Sequence, residues 1–122
     1  MFRFRTLVVI AALAGLAALA LTSSAGAVTP PRLVGTVGPG FTITLKKAAR
    51  PVRLLTPGRY SITVADKSNI HNFHLKGPGV NKEITTVGFV GTKTVIVALR
   101  RGTYTFVCDP HFTSMKGSFR VS

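Results

Sequence analysis

The stretch Gly102-Thr103-Tyr104-Thr105-Phe106-Val107-Cys108-Asp109-Pro110-His111-Phe112-Thr113-Ser114-Met115 decides how the chain is read. Its first half alternates Thr with Tyr104, Phe106 and Cys108, the period of two of a strand with one buried face. Cys108, the only cysteine of the chain, is then the last inward residue of that strand. Pro110 fixes φ and turns the chain, which brings His111 back beside Cys108, with Met115 at the far side of the loop. Thiolate, imidazole and thioether are the donor types that suit copper. Closing three donors on one short loop has a small entropic cost.

A Cys, a His and a weak axial Met need one further His, and the sequence offers His71 and His74. In Ile70-His71-Asn72-Phe73-His74-Leu75 the period of two places His71 with Phe73 and Leu75 on one face, and Asn72 with His74 on the other. If Phe73 and Leu75 face the core, His71 enters with them. His71 is therefore the expected fourth ligand, and His74 is expected to be an ordinary surface histidine; a bulge would reverse that choice.

Around these segments lie short alternating runs broken by Gly and Pro. Strands are predicted at 32–37, 41–45, 59–64, 70–75, 83–87, 93–99, 103–108 and 118–121, with a further short edge strand at 52–54 in a proline-rich loop. Asp66-Lys67-Ser68-Asn69 and the Gly-Pro-Gly runs at 38–40 and 77–79 read as turns. After residue 27 no segment carries a helical stripe. The expected fold is all-β, a Greek-key β-sandwich of seven or eight strands.

The first 27 residues read differently. Arg3 and Arg5 precede an unbroken apolar run from Leu7 to Leu21, then Ala25-Gly26-Ala27, the pattern of a signal peptide cut after Ala27. The run is shorter than the roughly 20 residues of a membrane span. The organisation expected is a signal peptide at 1–27, a linker at 28–31 and one domain at 32–122, exported to the periplasm, envelope or exterior. A lone thiol in an oxidising compartment needs an explanation, and a metal supplies one.

Sixteen Lys and Arg face three acids, for a net charge of +13; without Arg3 and Arg5 the balance is 14 against three. An exported domain with no basic-aromatic stacking motif argues against nucleic acid. The charge suits steering toward a redox partner with an acidic docking surface, and an anionic envelope surface is a second candidate partner. The domain is expected to be a monomer. Three acids leave little for a carboxylate-pair hydrolase, three histidines cannot furnish a multicopper enzyme, and the Gly-Pro-Gly runs precede no helix that would cradle phosphate. No enzymatic activity is expected.

The upstream His71-Asn72 and the downstream Cys108-Asp109-Pro110-His111 with Met115 resemble the cupredoxins, the plastocyanin and pseudoazurin group of blue-copper proteins. Asp-x-Ser-x-x-His-Asn-Phe-His-Leu-x-Gly-Pro-Gly-Val from Asp66 to Val80 and Met-Lys-Gly-Ser-Phe from Met115 are similar to small secreted plastocyanin-like domains of bacteria. The resemblance spans 32–122. It implies that His71, Cys108 and His111 hold one type 1 copper ion in a plane with Met115 as long axial ligand, and that Asn72 ties the two ligand segments together. One departure concerns Met115, four residues after His111 where plastocyanin spaces the two by five; azurin's spacing matches here, with a longer Cys-to-His gap.

The function so implied is one-electron transport, with His111, flanked by Pro110 and Phe112, as the exit point. The same residues would serve copper storage or delivery, and a metal-free adhesion or scaffolding module is a third expectation of a different class.

Overall fold

A computed structural model describes residues 14–15, 17–21 and 26–122. Most of the expected signal segment lies outside these residues, and no helix among them is long and apolar enough to cross a membrane.

Among the described residues ten strands form two five-stranded mixed sheets. In chain order they are β1 Arg32–Val37, β2 Ile43–Lys47, β3 Arg50–Pro51, β4 Leu54–Leu55, β5 Gly58–Asp66, β6 Phe73–Gly77, β7 Val80–Thr85, β8 Gly91–Leu99, β9 Gly102–Val107 and β10 Lys116–Val121. One sheet runs β3-β2-β1-β5-β8 and the other β4-β10-β9-β6-β7. The chain crosses between sheets after β3, β4, β5, β7 and β8. The all-β sandwich expected from the alternating runs is therefore what forms, with two ladders of two residues each added at its margin.

The alternation drives it. In β5, Tyr60, Ile62, Val64 and Asp66 are buried while the residues between them are not; in β9, Tyr104 and Phe106 point inward. These faces meet Leu33, Val37, Phe73, Leu75 and Phe119 in one core that ends in Cys108 and Met115. Among the described residues the core is drawn entirely from positions 33–121, so the chain from residue 28 onward carries the whole packed unit. Phe73 stacks on Phe106 at 5.8 Å between ring centroids, and Tyr104 on Phe119 at 5.4 Å.

Two glycines make room for these rings. A Cβ on Gly77 would run into the Tyr104 ring, and one on Gly117 into Phe106. Beyond its stacking partner, the buried Tyr104 hydroxyl donates to Pro78 O at 2.8 Å and accepts from Arg100 N at 3.0 Å. It thereby ties the β6–β7 turn to the β8–β9 turn and satisfies a polar group that burial would otherwise penalise.

Several boundaries differ from the sequence expectation. The second strand starts at Ile43, leaving Phe41 in the preceding loop and placing Lys46-Lys47 in the strand. The edge segment around 52–54 is two separate ladders, one on each sheet, with Val52 between them. The strand expected from Ile70 starts at Phe73, because the turn after β5 runs on through Ile70 and His71 and Asn72 belong to the approach to the strand. Asp66 extends β5 instead of opening a turn.

Candidate metal centre

Four connections meet at one end of the sandwich: 38–42 after β1, 67–72 after β5, 86–90 after β7 and 108–115 after β9. The last is shaped by a 3₁₀ turn over Asp109–His111 with Pro110 in its first turn. His111 N donates to Cys108 O at 3.1 Å and Met115 N to His111 O at 2.8 Å, while Cys108 N donates to Met115 O at 3.0 Å. The loop thus folds back on Cys108 and returns the chain to β10, in register with β9.

His71 arrives on the crossing from β5 to β6. Asp66, buried at the end of β5, accepts the Ser68 amide at 3.2 Å, and the turn so formed delivers His71 inward. Gly38 lies against it: a Cβ there would come within 3.3 Å of the His71 ring and 2.9 Å of Ser68 Cβ. His71 is 0 % exposed and its Nε2 meets no acceptor among the described residues. Its Nδ1 is the atom turned toward the loop.

Three donors converge. Cys108 Sγ lies 3.6 Å from both His71 Nδ1 and His111 Nδ1, and the two nitrogens are 3.1 Å apart. The centre of a triangle with these sides is about 2 Å from each corner, the bond length of a first-row transition metal to imidazole. A thiolate with two imidazoles is also the chemistry of a copper site, so the residues present fit that ion. Met115 is fully buried in the core beside Cys108 and is fixed by its backbone bonds to Cys108 and His111. His71, Cys108 and Met115 are sealed from solvent, whereas His111 is partly exposed. The expected choice of His71 over His74 is the arrangement observed.

Asn72 joins the two segments. Its Oδ1 accepts the Asp109 amide at 2.7 Å, and its Nδ2 donates to Asp109 Oδ2 at 2.7 Å and to Glu83 Oε1 at 3.2 Å. Asn72 is 1 % exposed, so these bonds satisfy an amide that would be costly to bury unpaired. Asp109 collects further partners: His74 Nδ1 donates to Oδ2 at 2.7 Å, and Lys76 Nζ lies 3.5 Å from Oδ1. Partial burial pushes the Asp109 carboxyl up, but the hydrogen bonds from Asn72 and His74 and the His74 and Lys76 charges hold it below its ordinary value.

The expectation that His74 is an ordinary surface histidine is corrected here. Its side chain is 16 % exposed and sits between Asp109 and Asn81, where it fixes the carboxylate that fixes Asn72. The β6–β9 ladder sets His74 opposite Val107, one residue from Cys108. Phe41 was also not anticipated as part of the site. Its ring stands edge-on to His71 at 5.3 Å and to His111 at 4.9 Å, yet it is 62 % exposed, so it covers the histidine pair as an outer lid. Around it Ile70, Pro110 and Phe112 are exposed, which leaves an apolar surface over the site.

The fold is that of the cupredoxins. Rusticyanin from Thiobacillus ferrooxidans aligns with a TM-score of 0.55 at 23% identity, over 75% of this chain and 76% of its own. The reduced form of rusticyanin aligns with the same TM-score at 25% identity, over 75% of this chain and 78% of that one. No protein-family model matches the sequence, and none of the curated proteins compared with it matches.

Proposed function

We propose that this protein is an exported type 1 copper protein that carries single electrons between redox partners. The observation that supports it most is the convergence of His71 Nδ1, Cys108 Sγ and His111 Nδ1 on one point at the end of a cupredoxin sandwich. Rusticyanin, which has this fold, is a copper protein and is known in a reduced form.

A bound copper ion would supply the Cu(II)/Cu(I) couple, and His71, Cys108 and His111 would hold it, with the buried Met115 available as a thioether donor. The work of the chain is then mostly to keep the donors still. Each comes from a segment pinned by backbone hydrogen bonds, and the Asn72–Asp109 tie holds the His71 approach against the Cys108 loop. Supporting contacts of this kind orient ligands and tune the metal they hold. Burial of three of the four donors excludes water, and a site that moves little between oxidation states loses little energy in reorganisation.

His111, the partly exposed donor, is the exit point for the electron. Pro110 and Phe112 flank it, and with Phe41 and Ile70 they form the contact surface for a redox partner. That surface is apolar, with Lys67 and Lys116 the basic residues nearest to it in the chain.

Copper storage or delivery uses the same residues, but three sealed donors are poorly placed for hand-off to an acceptor, which favours the carrier. A metal-free adhesion module leaves the three converging donors without a role. Voltammetry of the copper-loaded chain separates the first two readings. A reversible one-electron wave supports the carrier; rapid loss of copper to a competing chelator without such a wave sinks it.

A further inference from the structure

The charge of the domain is divided between its two ends. The strand registers place Asp66 opposite Val37 and Gly91, and Glu83 opposite His74, and Asp109 follows Cys108. All three acids of the chain therefore lie at the end that holds the donor cluster, where Lys67, Lys93 and Lys116 offset them. The opposite end holds the start of β1, the β2–β3 turn, the start of β5 and the β8–β9 turn. There Arg32 pairs with Ser61, Lys47 with Arg50 and Arg59 with Ala98, while Arg100 and Arg101 form the turn. All six are exposed, and no acid accompanies them.

The chain also enters the domain at this basic end. Pro31 O accepts the Ser61 amide at 2.9 Å immediately before β1. The apolar run Leu7–Leu21 precedes it, and where that run is described it packs on nothing: Leu19 is 88 % and Leu21 94 % exposed. The point where the chain enters the domain and a ring of cations with no acid among them thus share one end of the molecule.

We propose that the basic end docks on the headgroup phosphates of an anionic phospholipid bilayer and holds the donor cluster away from it. Attraction of Lys and Arg to such a surface fades within a Debye length, about 10 Å at ordinary salt. The nine residues of β5 span about 25–30 Å at the usual rise of a strand. The basic end can therefore sit in the attractive layer while the donor end stands outside it, open to a soluble partner. The orientation follows from charge alone and holds with or without copper.

The test uses the copper-free chain from residue 28 onward, which lacks the apolar run, in co-sedimentation with vesicles of phosphatidylglycerol and phosphatidylcholine or of phosphatidylcholine alone. Two variants carry the same change in net charge: Lys47→Glu/Arg50→Glu/Arg59→Glu at the basic end, and Lys67→Glu/Lys93→Glu/Lys116→Glu toward the donor end. Binding is expected only to the anionic vesicles, weakened by salt, and about tenfold or more weaker in the first variant, with at most a severalfold loss in the second. Circular dichroism checks both folds; if the first triple fails to fold, Arg59→Glu against Lys67→Glu gives the same comparison. Equal losses in the two variants, equal binding to neutral vesicles, or no binding to anionic vesicles at low salt overturns the proposal. So does binding to soluble polyphosphate without binding to vesicles.

Discussion

Asn72 and Asp109 exchange two hydrogen bonds across the donor cluster, one from the Asp109 amide to Asn72 Oδ1 and one from Asn72 Nδ2 to Asp109 Oδ2, both 2.7 Å long. The residues that follow His71 and Cys108 are thus clamped to each other, and the two ligand segments, 37 positions apart, move as one. Through this clamp the approach to β6 and the loop after β9, neighbours in one sheet, hold their donors in a fixed relation.

Replacing Asn72 with Ala leaves the Asp109 amide and carboxylate without these partners. Loss of these two hydrogen bonds and of the longer one to Glu83, two of the three to carboxylates, is expected to lower the stability of the copper-free chain by about 2–4 kcal/mol. Urea unfolding monitored by circular dichroism measures it. A stability unchanged within error would mean that the clamp carries no weight.

His74→Phe keeps a ring of similar size but removes the donor to Asp109. The expected result is a domain that folds and retains its three donors but binds copper more weakly, by about 10–100-fold, as for other contacts that orient ligands. Competition with a chelator of known affinity reads this directly. Wild-type affinity in this variant would return His74 to an ordinary surface role.

Phe41→Ala tests the lid. The ring is 62 % exposed, so its loss is expected to change stability by less than about 1 kcal/mol. Copper removal by a chelator, however, should become severalfold faster, because the two histidine rings lose the group that stands over both. An unchanged removal rate would show that Phe41 does not guard the site.

Gly117→Ala places a methyl group inside the volume of the Phe106 ring. Backbone on one side and a stacked aromatic pair on the other leave little room to yield, and overpacking of this kind costs about 1–3 kcal/mol. Gly40→Ala is the control, since nothing lies within 4 Å of its Cβ position. Equal melting temperatures for the two variants would contradict the packing described.

Much of this was legible in the chain. Alternation in Tyr60–Val64 and Tyr104–Cys108, with Gly and Pro between the runs, was enough for the sandwich, because burying one face of a strand imposes a period of two on the sequence. The same period separated His71 from His74. Two-residue ladders such as β3 and β4 leave no periodic trace and form only when a neighbouring strand is already in place. β6 starts at Phe73 and not at Ile70 because the turn runs on through Ile70 and Asn72 bonds to Asp109, a tertiary event that no local pattern records. Likewise the bonds of His74 and Asn72 to Asp109 span 35 and 37 positions, and Phe41 looked like one more apolar residue of a strand until its loop carried it over the histidines.

The claim at the centre is that His71, Cys108 and His111 hold copper. Titrating Cu(II) into the purified chain from residue 28 onward, beside Cys108→Ser, tests it most directly. An intense visible charge-transfer band that saturates at one equivalent in the wild type and is lost in Cys108→Ser is the expected result. A wild-type chain that binds no copper, or a band that survives the loss of the thiolate, would contradict it.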